Sequence, residues 1–240
     1  MQNFKATTWQ SLIRFERENA FFKPKDKVLI GLSGGADSVA LLHFLKQLSV
    51  KKHFFIYACH VNHGLRKAAA RDADFAAETA AALGAPFILK KVNIKKEGLS
   101  AEHAARKARY KAFEEAAKKY GCAKIALGHH LDDNAETILL NILRGTKAKG
   151  LAGIPVRRFA GKREIVRPFL CITRKEALNY IKEHKLAFIE DETNFDDIYT
   201  RNWVRQILLP LLEKKQPKIR QHLLAISRDL TKIMNKGDKP

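Results

Sequence analysis

Apolar residues along this chain fall into two alternating patterns. Short continuous runs, KVLIGL (27–32), FFIYAC (54–59), PFILK (86–90) and AKIAL (123–127), predict buried strands. The stretches between them, 37–48, 68–83, 100–119 and 132–143, carry helical spacing. A leading helix is expected over 8–22, with Trp9, Leu12, Ile13 and Phe15 on its apolar side. Strand alternating with helix at these lengths predicts an α/β fold, a doubly wound parallel sheet flanked by helices. Such sheets bind ligands beyond the carboxyl ends of their strands. Three polar clusters fall at that rim: SGGADS at 33–38, HVNHG at 60–64 and GHHLDD at 128–133.

The pattern changes after residue 143. Arg144 to Arg167 holds eight Lys/Arg and one acid, which reads as a mobile basic loop. A shorter αβ-like stretch follows, ITRKEALNYIKEH and then LAFIEDET, succeeded by a polar RNWVRQILLPLL segment and a basic helix running into a polar tail. There is no internal repeat.

Charge narrows the partners. Against 25 Asp+Glu stand 45 Lys+Arg, a net +20 over 240 residues. That field attracts polyanions, and the attraction falls steeply with salt. Lys147, Lys149, Arg157, Arg158, Lys162 and Arg163 in the basic segment are the candidate RNA contacts. No apolar run approaches the roughly 18 residues of a membrane span, and MQNFKATTWQ lacks the apolar core of a secretion signal. Cys59, Cys122 and Cys171 form no C-x-x-C pair, which argues against a disulfide framework, a zinc ribbon or a cysteine-held cluster. The chain reads as cytoplasmic, and a homodimer is compatible with it.

In SGGADS, Gly34 and Gly35 let backbone N–H groups close around an anion, at the positive end of the next helix. Ser33 and Ser38 add hydroxyls, and Ala36 completes the turn. A P-loop would place a lysine where this chain has Asp37. A carboxylate beside bare phosphate is repelled by about 1 kcal/mol even in full water screening. A bound Mg²⁺ resolves the conflict, since Mg²⁺ binds through one or two carboxylates plus substrate phosphates. The alternative is that Asp37 merely caps its helix.

In GHHLDDNAET, His129, Asp133 and Glu136 share a face if the helix includes all three, and Asp132 lies one turn from Glu136. With His130, they can hold a metal or grip an amine. An acid-rich first turn favouring the helix dipole also explains Asp132 and Asp133. In the 100–119 helix, Glu102, Arg106 and Arg109 share a face suited to phosphate or carboxylate, or to a plain surface salt bridge. His60 and His63 sit on the same rim, where packing explains them equally well.

SGGADS resembles the loop of the N-type ATP pyrophosphatases, the PP-loop superfamily. With HVNHGLR, EHAARKARY, GHHLDDNAETILLNILRG, GLAGIP, RPFL and DETNFDDIYTRNWVR, roughly residues 25–210 resemble the tRNA(Ile)-lysidine synthetases. The resemblance implies a Rossmann-like catalytic domain over 1–212, with 213–240 as a helical extension or a linker to a further C-terminal domain. It implies ATP and Mg²⁺ as cofactors, L-lysine and the anticodon loop of tRNA(Ile) as partners, and AMP-forming ligation of lysine to the wobble cytidine. Ser33 to Ser38, with His60 and His63, would hold the nucleotide, and Asp37 the metal. Asp37, Arg109, Asp133, Glu136 and Arg201 would carry the chemistry. Arg106, His129, His130, Asp132, Asn202 and Arg205 would contact substrate. The competing readings are a cytidine-thiolating relative, disfavoured by the missing cysteine pairs, a small-molecule amidating ligase, and a non-catalytic RNA-binding module.

Overall fold

The computed structural model describes residues 7–62, 69–92, 101–190 and 200–237. His63 and the DETNFDD stretch lie outside them. Six strands form one sheet in the order β3-β2-β1-β4-β6-β5. They are β1 (Lys27–Gly31), β2 (Phe55–Asn62), β3 (Phe87–Lys91), β4 (Lys124–Ala126), β5 (Arg157–Ala160) and β6 (Arg163–Val166). All pairings are parallel except that of β5 with β6.

Strand periodicity splits the core between the two faces. Val28 and Ile30 of β1, Ala126 of β4 and Val166 of β6 enter one cluster. The intervening Leu29, Ile125 and Ile165 enter the other. The first face is covered by α1 (Thr8–Asn19), α2 (Ala36–Lys52), α3 (Ala69–Ala82) and α7 (Arg174–Glu183), the second by α4 (Ala101–Lys119). With apolar neighbours on most sides, α2 buries Val39, Ala40, Leu41, Leu42, Phe44 and Leu45. The strands are therefore continuous apolar runs, as a sheet covered on both faces requires.

The basic segment is not a loop. It contains the short helix α6 (Ala148–Leu151) and the β5–β6 hairpin, which turns at Gly161 with φ +55° and extends the sheet beyond β4. Ile165 and Val166 are fully buried, and that burial together with backbone pairing outweighs the segment's charge. As the edge strand, β5 leaves Arg157, Arg158 and Phe159 exposed. Among the described residues of the expected strand, 186–190 have no regular structure, and the Ile189 N–H donates to the Gly34 carbonyl (2.9 Å).

The remaining helices pack against α5 (Leu131–Leu143). After α8 (Thr200–Trp203) the chain winds through a π-helical segment, Val204–Leu208, into α9 (Leu209–Lys215) and then α10 (Ile219–Gly237). Val204, Leu209 and Leu223 join Ala135, Ile138, Leu139 and Leu140 in a third apolar cluster.

Candidate active site

Strand order reverses at β1: β2 and β3 lie to one side, β4 and β6 to the other. The crevice beyond such a reversal is where open α/β sheets take ligands. Here it is bounded by the loop from β1 to α2 and the loop from β4 to α5. The two meet at Gly128, where a Cβ would lie 3.0 Å from the Asp37 carbonyl oxygen and 3.2 Å from its carbon. Glycine lets the second loop come this close without pushing that backbone aside.

The phosphate-type loop is braced from within. The Ser33 N–H donates to Ser38 Oγ (3.1 Å), and the two hydroxyl oxygens are 3.1 Å apart. The Ser38 hydroxyl donates to the Gly35 carbonyl (2.8 Å). Both hydroxyls are thus engaged within the loop. The Ser38 N–H is taken by the Gly35 carbonyl (3.0 Å), so anion binding falls mainly to the backbone N–H groups of Ala36 and Asp37 at the start of α2. Gly34 takes φ +92°, a left-handed conformation that L side chains rarely adopt.

Asp37 does not cap α2. The N-cap is Gly35, which makes no side-chain cap bond. The Asp37 carboxylate turns into the crevice instead: Oδ2 accepts from Arg174 Nη1 (2.8 Å) and lies 3.7 Å from His130 Nε2. Its Oδ1 is buried and has no hydrogen-bond partner among the described residues. Burial raises the Asp37 pKa, against the opposing pull of His130 and Arg174. A half-buried carboxylate with one unsatisfied oxygen fits a cation such as Mg²⁺. Among the described residues no group of three or more His, Cys, Asp and Glu side chains is placed to hold a metal. Mg²⁺ needs no such cage when phosphates supply the other oxygens.

The acidic helix starts one residue earlier than its acids suggest. His130 is the N-cap of α5: its Nδ1 accepts from the Asp133 N–H (3.2 Å) while Asp133 Oδ2 accepts from the His130 N–H (3.0 Å). His129 therefore precedes the helix and does not share a helical face with Asp133 and Glu136. It is held by Arg167, whose Nε donates to His129 Nδ1 (3.3 Å). Burial pushes the His129 pKa down to about 3, with Arg167, Arg106 and Arg109 adding to the effect and Asp133 opposing it. Burial also works to raise the Asp133 pKa, but His130, His129, the backbone N–H and Arg201 outweigh it and hold the carboxyl below its usual range.

Glu136 is 1% exposed and carries two guanidiniums. Arg205 grips it with Nε to Oε1 (2.6 Å) and Nη2 to Oε2 (3.1 Å), and Arg201 Nε reaches Oε2 (3.2 Å). The same arginines lie 3.8 and 3.7 Å from Asp133 Oδ1. The π-helical turn begins at Val204 and includes Arg205, a distortion common at functional sites. Asp132 faces the other way: its Oδ2 accepts from the Arg174 N–H (2.5 Å), and its Oδ1 pairs with Arg220 of α10. A cavity of 410 Å³ opens here, walled by His130, Asp132, Glu136, Arg174, Arg205 and Arg220.

A second cluster sits on α4. The Arg106 and Arg158 guanidiniums lie 5.3 and 5.1 Å from the Tyr110 ring centroid. Burial raises the Tyr110 pKa, but Arg106, Arg167 and Arg158 outweigh it and the phenol sits below its usual range. Arg167, 2% exposed, also donates from Nη1 to the Pro155 carbonyl (2.6 Å). His60 is buried with Nδ1 2.9 Å from the Leu32 carbonyl oxygen, so it braces the end of β1. Lys147, Lys149, Arg158 and Lys162 are exposed. Arg157 is committed to Glu164 (3.2 Å) and to the Asn19 carbonyl (2.9 Å), and Arg163 is half-buried.

Sequence reasoning missed Arg174, Arg167, Tyr110 and Arg220. Arg167, a charge directly after an apolar pair and before proline, carried a faint signal; the others carried none. The three cysteines are free, and burial pushes Cys59 and Cys171 up to about 12 and Cys122 to about 11, so none is a poised thiolate.

The sheet order and the glycine-rich loop at its reversal define a PP-loop protein, and the PP-loop domain family matches residues 6–212. A tRNA(Ile)-lysidine synthase of Petrotoga mobilis is 36% identical over 224 residues, covering 91% of this chain and 70% of that protein. The chain belongs to the tRNA(Ile)-lysidine synthase family. A relative of that name from Caldanaerobacter subterraneus subsp. tengcongensis is 42% identical over 85% of this chain, and one from Oceanobacillus iheyensis is 36% identical over 88%. The chain spans about half the length of these two curated relatives, 44% and 46%. Among solved structures, the U34-tRNA thiolase NcsA from Methanococcus maripaludis superposes with a TM-score of 0.79 over 92% of this chain and 78% of that one. At 20% identity that likeness shows the fold alone.

Proposed function

We propose that this chain joins L-lysine to the wobble cytidine of tRNA(Ile), consuming ATP and releasing AMP and pyrophosphate in the cytoplasm. In this reading 1–212 form the catalytic domain and 213–240 its helical extension. One observation carries it: the phosphate loop and the acidic start of α5 share a crevice, with His130 Nε2 3.7 Å from Asp37. A nucleotide and an amine can meet there.

First, the carbonyl oxygen at C2 of cytosine attacks the α-phosphorus, and the bond to the β-phosphate oxygen breaks. The first-turn N–H groups of α2 receive the departing pyrophosphate. Asp37 would hold Mg²⁺, which when bound supplies Lewis-acid neutralisation of the phosphate charge. Second, the lysine ε-ammonium gives one proton to Asp133 and the amine so formed attacks C2; the nitrogen gives its second proton to water as the C2–O bond breaks and AMP leaves. Asp133 and Glu136 receive the ammonium and hold it. Arg201 and Arg205 neutralise these acids beforehand, so the incoming cation displaces an existing partner and need not find a bare buried charge. Arg109, with Arg106, takes the lysine carboxylate or the α-phosphate, and the neutral His129 ring faces the base.

The test is an assay with labelled ATP, lysine and tRNA(Ile). AMP formation and lysine incorporation must depend on both tRNA and Mg²⁺, and robust AMP release without RNA overturns the reading. The RNA surface gives a separate prediction. Arg158→Ala with Lys162→Ala lowers the slope of log K against log salt by about 2, roughly one phosphate contact per cation. Arg157→Ala instead lowers the melting temperature, because its guanidinium ties β5 to α1. An unchanged slope for the double variant removes the hairpin from the tRNA interface.

A further inference from the structure

A P-loop neutralises its leaving phosphates with the lysine that ends the motif. The corresponding residue here is Asp37, so a fixed cation of that kind has to come from elsewhere in the chain. The fold supplies one from about 140 residues further on. Arg174 is the first residue of α7, held at its N-terminus by the Thr173–Glu176 capping box. Its own N–H is fixed by Asp132 Oδ2 (2.5 Å). Its backbone is therefore anchored to α5 while its side chain crosses to α2.

The guanidinium meets Asp37 through Nη1 (2.8 Å), and among the described residues its carboxylate contact runs through that nitrogen alone. A guanidinium has five N–H donors in a planar fork that suits phosphate. The Arg174 side chain is 43% exposed and lines the neighbouring cavity with His130 and Asp132, so the donors not spent on Asp37 stay accessible to a ligand that reaches that carboxylate. A cation occupying Asp37 would repel the guanidinium from that carboxylate, and the adjacent pyrophosphate oxygens offer it a charge-assisted contact.

We propose that Arg174 binds the β,γ-pyrophosphate portion of ATP directly, replacing the P-loop lysine, and that Asp37 holds its guanidinium in place until nucleotide arrives. This rests on ATP being the ligand of the loop and is independent of the acceptor.

The experiment is isothermal titration of the whole chain and its Arg174 variants with ATP, inorganic pyrophosphate and AMP, each with Mg²⁺ and with chelator. In Arg174→Ala, ATP and pyrophosphate affinities fall at least about tenfold, the scale of one charged hydrogen bond. AMP affinity, which does not involve those phosphates, stays within about twofold of wild type on the same scale. The pyrophosphate loss persists in chelator, because the contact is direct. Arg174→Lys retains more pyrophosphate affinity than Arg174→Gln, and this pair decides the matter if the alanine variant does not fold. Equal weakening of AMP and ATP, a loss seen only with Mg²⁺, or equal binding by the Lys and Gln variants overturns the proposal. Failure of the wild type to bind ATP or pyrophosphate would instead remove the nucleotide reading of the loop.

Discussion

Asp37→Asn abolishes adenylation while leaving tRNA retention and the fold intact. The side chain keeps its size, so the packing of α2 against Gly128 is undisturbed. What is lost is the negative charge whose Oδ1 is buried without a partner among the described residues. An amide cannot concentrate a divalent cation against phosphate, so pyrophosphate leaves poorly neutralised. Loss of one preorganised electrostatic stabiliser typically costs about 10²–10³ in rate, and the effect here is at least that large. The measurement is pyrophosphate release in a single turnover, with filter retention of tRNA alongside. The carboxylate also costs the apo fold something, since burial raises its pKa. The variant should therefore melt no lower than wild type. Near-normal adenylation by Asp37→Asn would mean the carboxylate does not serve as the metal ligand.

Glu136→Gln acts on stability and on the second step together. Glu136 is the buried counter-charge for Arg201 and Arg205, and removing one partner of a buried pair costs about 3–5 kcal/mol. Both arginines are 33% exposed, so water recovers part of the loss. The expected cost is about 3 kcal/mol, near the lower end of that scale. For a chain of this size that is roughly 6–12 °C in melting temperature. Lysine transfer falls by at least about 10²-fold, whereas the adenylation burst of pyrophosphate survives. Calorimetric melting and separate quantitation of pyrophosphate and AMP resolve the two effects. Equal loss of both products would place Glu136 in the first step instead.

The order of elements was legible because each strand is a continuous apolar run and each helix carries its own period. β1 to β4 and α2 to α5 lie within a few residues of their expected positions. The β5–β6 hairpin was not legible. Its strands are four residues each and rich in arginine, and only Ile165 and Val166 are fully buried. Pairing with an existing edge decides such a strand, and pairing is not a local property. The cap of α5, and with it the place of His129 before the helix, was not legible: the cap is His130, and histidine is not among the residues that usually signal an N-cap.

The candidate site divides along the same line. A glycine-rich turn between strand and helix is local chemistry, so the loop and its aspartate could be read directly from SGGADS. Arg174, Arg201, Arg205 and Arg220 lie 65 or more residues along the chain from the carboxylates they pair with. Nothing in their own neighbourhoods marks them as partners of Asp37, Glu136 and Asp132. The sequence by itself determined β1 to β4, the phosphate loop and the acids beside it, because these follow from periodicity and short-range geometry. Only the tertiary structure decided which cations neutralise those acids. Charge pairing across the crevice depends on distances in space that chain separation does not encode.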